Sequence, residues 1–142
     1  MSATLLKIGE VATSSGLPVK TVRYYEEIGL LAPTVERSDT GYRLFTPQIF
    51  DRLAFIKRAQ HLGLSLNEIQ QILAVYDQGQ LPCGEVRSHL EKKVEQIAEQ
   101  IRSLQLLQNE LQGLLSGWQD QPDTVPQARD RIPVICPNLQ TK

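Results

Sequence analysis

Two cysteines, two histidines and one tryptophan in 142 residues leave little material for the commoner kinds of active site. There is no glycine loop fit to cradle a phosphate and no Ser/His/Asp set, and neither His61 nor His89 has an acid at a useful spacing, so an enzyme is not expected. Long apolar runs are also missing: nothing approaches the roughly 20 residues needed to cross a bilayer. Met1 to Lys7 lacks the apolar core of a secretion signal, so a cytoplasmic protein is expected. In a reducing compartment Cys83 and Cys136, 53 positions apart, are not expected to form a structural disulfide, and the free thiols need another role. An excess of positive charge is absent as well. Residues 1–76 carry eight Lys/Arg against seven Asp/Glu, residues 77–142 carry seven against nine, and the net charge is −1. Any case for nucleic acid therefore rests on where the cations lie, not on their number.

What is present is a run of short amphipathic segments. Ile8, Val11 and Ala12 give one apolar face to a helix over 7–15, which breaks at Ser15-Gly16. A second helix is expected from Pro18 to Ile28, stopped by Gly29, with Leu17, Val22, Tyr25 and Ile28 inward and Lys20, Thr21, Arg23 and Tyr24 outward. Two short helices joined by a glycine turn, the second carrying outward cations and hydroxyls, form a helix-turn-helix suited to a DNA major groove. Residues 33–46 read as a hairpin wing, with Ser38-Asp39-Thr40-Gly41 at its tip and Tyr42-Arg43-Leu44-Phe45 alternating as a strand.

A third helix over 47–62 and a fourth opened by the capping box Ser65-Leu66-Asn67-Glu68 complete a domain at 1–76. Residues 77–82 read as a hinge. From Cys83 to Ser116 there is no proline, and Leu90, Val94, Ile97, Ile101, Leu104, Gln108, Leu111 and Leu115 hold a heptad register. That is a coiled-coil seam, and a helix carrying it needs a partner. Gln108 reads as a polar residue that sets register or as a place where packing loosens, and Trp118 as an anchor for the end of the helix in the core or as a contact for an effector. Residues 117–142, with four prolines and the apolar pair Val134-Ile135, are expected to form a loop with one anchored end.

The segments Ile8-Gly9-Glu10-Val11-Ala12, Thr21-Val22-Arg23-Tyr24-Tyr25-Glu26, Gly29-Leu30-Leu31 and Gly41-Tyr42-Arg43 resemble MerR-type regulators, in an order that covers nearly the whole chain. The resemblance implies a mainly α fold: a winged helix-turn-helix, a long antiparallel dimerisation helix and a short C-terminal loop. It also implies a homodimer on an inverted repeat in promoter DNA that works with RNA polymerase, activating by untwisting and bending the duplex when an inducer binds. Deformation of DNA calls for backbone grip. Lys20, Thr21, Arg23, Tyr24, Tyr42, Arg43 and Arg52 are the expected DNA contacts, with Arg23, Tyr24 and Arg43 foremost by analogy. The plainer alternatives are Arg23 paired with Glu26 or Glu27 on a solvated face, and Tyr24 in the core.

A short tail holding a cysteine resembles the metal-sensing branch. Cys83, at a helix start, lies where dipole and unpaired amides favour a ligating thiolate. In metal-sensing relatives such a cysteine comes from one subunit and the loop cysteines from the other, and Cys136 resembles the second of these. The first is missing, since the region reads Leu115-Ser116-Gly117-Trp118. Two thiolates suit an ion that accepts low coordination, and Cys83 stands where copper sensors carry serine, which together point to Hg(II) as inducer. Zn(II), Cd(II), Pb(II) and Cu(I) stay open, as does a thiol redox sensor. Asp120, Asp123 and Asp130 could complete a zinc site but are more simply solvated. A cysteine can also be an inert packing residue. His89 is expected at the surface and His61 in a structural role.

Overall fold

The computed structural model describes residues 4–120 and 134–140. Its chain contacts divide it into two units, residues 1–93 and 94–142.

In the first unit a two-residue strand, β1 (Leu6–Lys7), leads into α1 (Ile8–Ser15). Gly16 ends α1 at φ 74°, a left-handed conformation that glycine adopts without steric cost, and this sets up the turn into α2 (Val19–Glu27). Pro18 is the residue before the first helical turn, one position earlier than its expected place inside it. A 3-10 turn (Ala32–Thr34) opens the wing, made of β2 (Val35–Arg37) and β3 (Arg43–Phe45). The sheet has the order β1-β3-β2, all antiparallel, with Phe45 facing Leu6 on one side and Val35 on the other. The hairpin was expected; β1 was not, because two residues carry no period.

Helices α3 (Ile49–His61) and α4 (Leu66–Asp77) pack on this layer. Val11 and Val22 from the first helix pair, Leu30, Leu31 and Phe45 from the wing, and Ile49, Ile56, Ile69 and Ile72 from the second pair are fully buried together. Each such side chain contributes roughly 1.5–3 kcal/mol by leaving water, which makes this core the reason α2 is held in place. The capping box of α4 forms in both directions: Ser65 Oγ accepts from the Glu68 amide at 3.1 Å, and the Ser65 amide donates to Glu68 Oε1 at 2.8 Å. The 34-residue α5 (Cys83–Ser116) begins in this unit, where Val86 and Leu90 pack against the core.

In the second unit, α5 carries Val94, Ile97, Ile101, Leu104, Leu111 and Leu115 with between 46% and 67% of each exposed, so the seam is uncovered within one chain. Trp118 is 40% exposed and does not anchor the helix end in a core. A short α6 (Pro137–Gln140) follows within the tail.

Candidate nucleic-acid interface and thiol site

Helix α2 is short and polar on one side, so its position depends on what its other side and its end touch. Val22 and Tyr25 are buried, and the Tyr25 hydroxyl donates to Gln60 Oε1 at 2.7 Å, tying α2 to α3. Burial raises the Tyr25 pKa, partly offset by that hydrogen bond. The Gln70 amide donates to the Ile28 carbonyl at 2.9 Å, and Arg52 Nε donates to the Leu30 carbonyl at 2.7 Å. Three side chains from α3 and α4 thus hold the end of α2.

With that end fixed, Lys20, Arg23 and Tyr24 are exposed and Thr21 is half-buried on the opposite side. Tyr24 is 50% exposed, which excludes the core alternative. Arg23 has no ion pair among the described residues; Glu26 is taken instead by Arg43, whose Nε lies 2.6 Å from Glu26 Oε1. That pair links the first residue of β3 to α2, so wing and helix present their polar atoms as one surface. At the wing tip the Ser38 hydroxyl accepts from the Tyr42 amide at 3.0 Å and Arg37 Nη1 donates to the Gly41 carbonyl at 3.1 Å. Gly41 has φ 89°, and Tyr42 stands 71% exposed beside it. Lys20, Thr21, Arg23, Tyr24, Tyr42 and Arg43 therefore lie on two linked elements, Lys20, Arg23, Tyr24 and Tyr42 exposed, Thr21 half-buried, and Arg43 half-buried and paired to Glu26.

Arg52 departs from its expected role as a DNA contact. It is buried, at 7% exposure, and its two terminal nitrogens meet the Asp77 carboxylate at 2.7 and 2.9 Å while Nε holds Leu30. Every nitrogen of the guanidinium is engaged within the fold. The partners lie 22 and 25 positions away in sequence, beyond the reach of helical periodicity.

His61 is exposed. The expectation for His89 also changes. His89 is buried rather than at the surface, and it does have acids at hand: Nδ1 is 3.5 Å from Glu68 Oε2, and Nε2 is 3.6 Å from Glu85 Oε2 four residues earlier on the same helix. Lys93 Nζ lies 3.7 Å from Glu68 Oε1. Glu68 is held below its ordinary pKa, first by the Ser65 amide, then by the Ser65 hydroxyl, Lys93 and His89, against an opposing effect of burial.

Cys83 is the first residue of α5 and is exposed; Cys136 is half-buried at the start of α6; neither is in a disulfide. The Ile135 and Cys136 amides donate to Gln140 Oε1 at 2.6 and 2.9 Å, and Asn138 bonds both the amide and the carbonyl of Gln119, closing the base of the tail. Ile135 is 92% exposed, so packing beside it does not account for Cys136. Asp120 is exposed, and Asp123 and Asp130 lie outside the described residues. Among the described residues no three His, Cys, Asp or Glu side chains are grouped to hold a metal. As donors, two free thiols suit a soft ion. No described helix is long and apolar enough to cross a membrane.

Comparison with known proteins agrees with this geometry. Residues 6–75 match the family model of the MerR HTH family regulatory protein, and residues 50–114 match that of MerR, DNA binding. The mercuric resistance operon regulatory protein of Bacillus cereus is 41% identical over 108 residues, 76% of this chain and 81% of that protein. The transcription regulator PbrR691 from Ralstonia metallidurans, solved in complex with lead(II), superposes with a TM-score of 0.72 at 33% identity, covering 83% of this chain and 91% of that one. HiNmlR, a MerR family regulator lacking the sensor domain and solved bound to promoter DNA, gives a TM-score of 0.54 at 28% identity, with 80% and 91% covered.

Proposed function

Since the chain belongs to the MerR family of helix-turn-helix regulatory proteins, and is a transcription regulator rather than an enzyme, we propose that it is a homodimer that distorts promoter DNA on binding a soft metal ion, with Hg(II) as inducer. In this reading Lys20, Thr21, Arg23, Tyr24, Tyr42 and Arg43 grip the backbone of an inverted repeat. The exposed seams of two α5 helices pair. Cys83 of one protomer and Cys136 of its partner hold the ion, which supplies a link across the interface, and the distorted promoter is then used by RNA polymerase.

The observation that carries the proposal is an exposed thiol on the first residue of the same helix whose apolar seam is uncovered. The resemblance to metal-sensing relatives implies that such a site takes its remaining donors from the second chain. The relatives named for mercury and lead favour a metal over an oxidant. Of these ions, mercury best tolerates a site with two thiolates, whereas zinc ordinarily takes four ligands.

The test is to titrate the purified dimer with Hg(II), Cu(I), Zn(II) and Pb(II) while measuring transcription from its operator. Hg(II) is expected to induce at the lowest concentration, and C83S and C136S variants are expected to lose that response. Induction by peroxide with none by any metal would replace the metal reading with a thiol redox sensor, in which the same two sulfurs are oxidised to a disulfide.

A further inference from the structure

Cys83 lies between two attachments of different kinds. Ahead of it, the hinge at 78–82 starts from Asp77, the last residue of α4, whose carboxylate is gripped at 2.7 and 2.9 Å by the buried Arg52. Beyond it, α5 is seated by Val86 and Leu90 packing on the core, and its polar contacts to α4 are longer: the His89 ring lies 3.5 Å and Lys93 Nζ 3.7 Å from the Glu68 carboxylate. The rear attachment is a bidentate, charge-assisted pair.

The same guanidinium also donates from Nε to the Leu30 carbonyl at 2.7 Å. Leu30 belongs to the turn that ends α2 and opens the wing; its own amide bonds back to the Tyr25 carbonyl at 2.9 Å. One rigid, planar group therefore joins the residue before the hinge to the turn behind the DNA-facing helix. A lysine, with a single flexible ammonium, cannot hold this fork and the carbonyl in fixed relation.

We propose that Arg52 is a positioning residue that couples the hinge to α2 and the wing. A displacement of Asp77, imposed when Cys83 is drawn toward a ligand, is passed through the guanidinium to Leu30 and changes the angle at which α2 meets DNA. This rests on the reading of α2 as the DNA-facing helix and of Cys83 as the effector end.

The experiment uses the full-length dimer with D77N and R52K substitutions. Asp77 touches none of the residues proposed to grip DNA, and in D77N the amide oxygen can still accept from the buried Arg52, so the variant is expected to lose stability but to stay folded, read by circular dichroism and urea melts, and to keep the operator affinity of the parent. Promoter output without metal is expected to shift by about 2- to 30-fold, the range for residues along a coupling path, and the ratio of output with Hg(II) to output without it is expected to fall. R52K is expected to act in the same direction, and the double variant to add little, since both changes cut one link. If D77N and R52K leave both outputs at parental levels, or if every change in output follows an equal loss of operator affinity, the coupling role is wrong. A parent that responds to no metal defeats the metal reading alone, because the shift in metal-free output still tests Arg52.

Discussion

At the scale of single residues, three positions show how little a side chain's type says about its task. Arg23, Arg43 and Arg52 look alike in sequence, as cations on amphipathic segments. Arg23 stays open to solvent, Arg43 is tethered by Glu26, and Arg52 is consumed by Asp77 and Leu30. Only long-range contacts separate them, so the outward face of α2 was legible and the fate of Arg52 was not. Arg43→Ala is expected to weaken binding to every DNA sequence alike and to lower the salt slope by about one phosphate contact; fluorescence titrations at several salt concentrations measure it, and an unchanged slope removes Arg43 from the backbone grip. Glu68 was identified as a cap, but not as the acid beside His89 and Lys93. Its carboxyl pKa is lowered in the folded chain, so its contribution is present in full above the ordinary carboxylate range and is lost as pH falls through the lowered value. Glu68→Gln keeps an oxygen that can accept from the Ser65 amide, so only the charge is lost; stability at neutral pH is expected to fall by roughly 0.3–1 kcal/mol, the size of a charge effect at a helix N-terminus, and the gap to the parent should close in acid. Urea melts across that range decide it; a gap that is constant with pH would mean the charge plays no part.

At the scale of elements, helices with long period were readable and short elements were not. The bounds of α5 at Cys83 and Ser116 follow from the glycines and prolines that flank an uninterrupted heptad pattern. Strand β1 is fixed by its pairing with β3, information that two residues do not contain. Trp118 was assigned to a core that one chain does not possess, since the seam it follows is open. Covering that seam is the main term favouring a second copy: a half-exposed Ile or Leu gains roughly 1 kcal/mol on burial, about half the full transfer value, set against an association cost of roughly 4–15 kcal/mol. Ile101→Lys, a charge near the middle of the seam, is expected to turn the dimer into a monomer by sedimentation. The core of residues 1–93 does not include Ile101, so the wing and helix pairs should stay folded. A variant that sediments as a dimer would place the pairing surface elsewhere.

At the scale of the whole molecule, the thiols pose a question of stoichiometry that one chain does not answer. A site with donors on two chains makes a prediction that a site within one chain does not. In a C83S homodimer both sites lack the α5 thiol, and in a C136S homodimer both lack the tail thiol, so each is expected to lose the response to Hg(II). A mixed dimer of the two variants is different. One of its sites combines both serines, while the other combines the intact Cys83 of one chain with the intact Cys136 of the other. Unfolding and refolding the variants together is therefore expected to restore Hg(II) binding to about half of the molecules, each with one site in place of two, if the chains pair at random. If the thiols of a single chain formed the site, every site in every mixed dimer would lack one donor and mixing would restore nothing. Recovery on mixing, measured as bound Hg(II) per dimer and as induced transcription, thus separates shared sites from private ones.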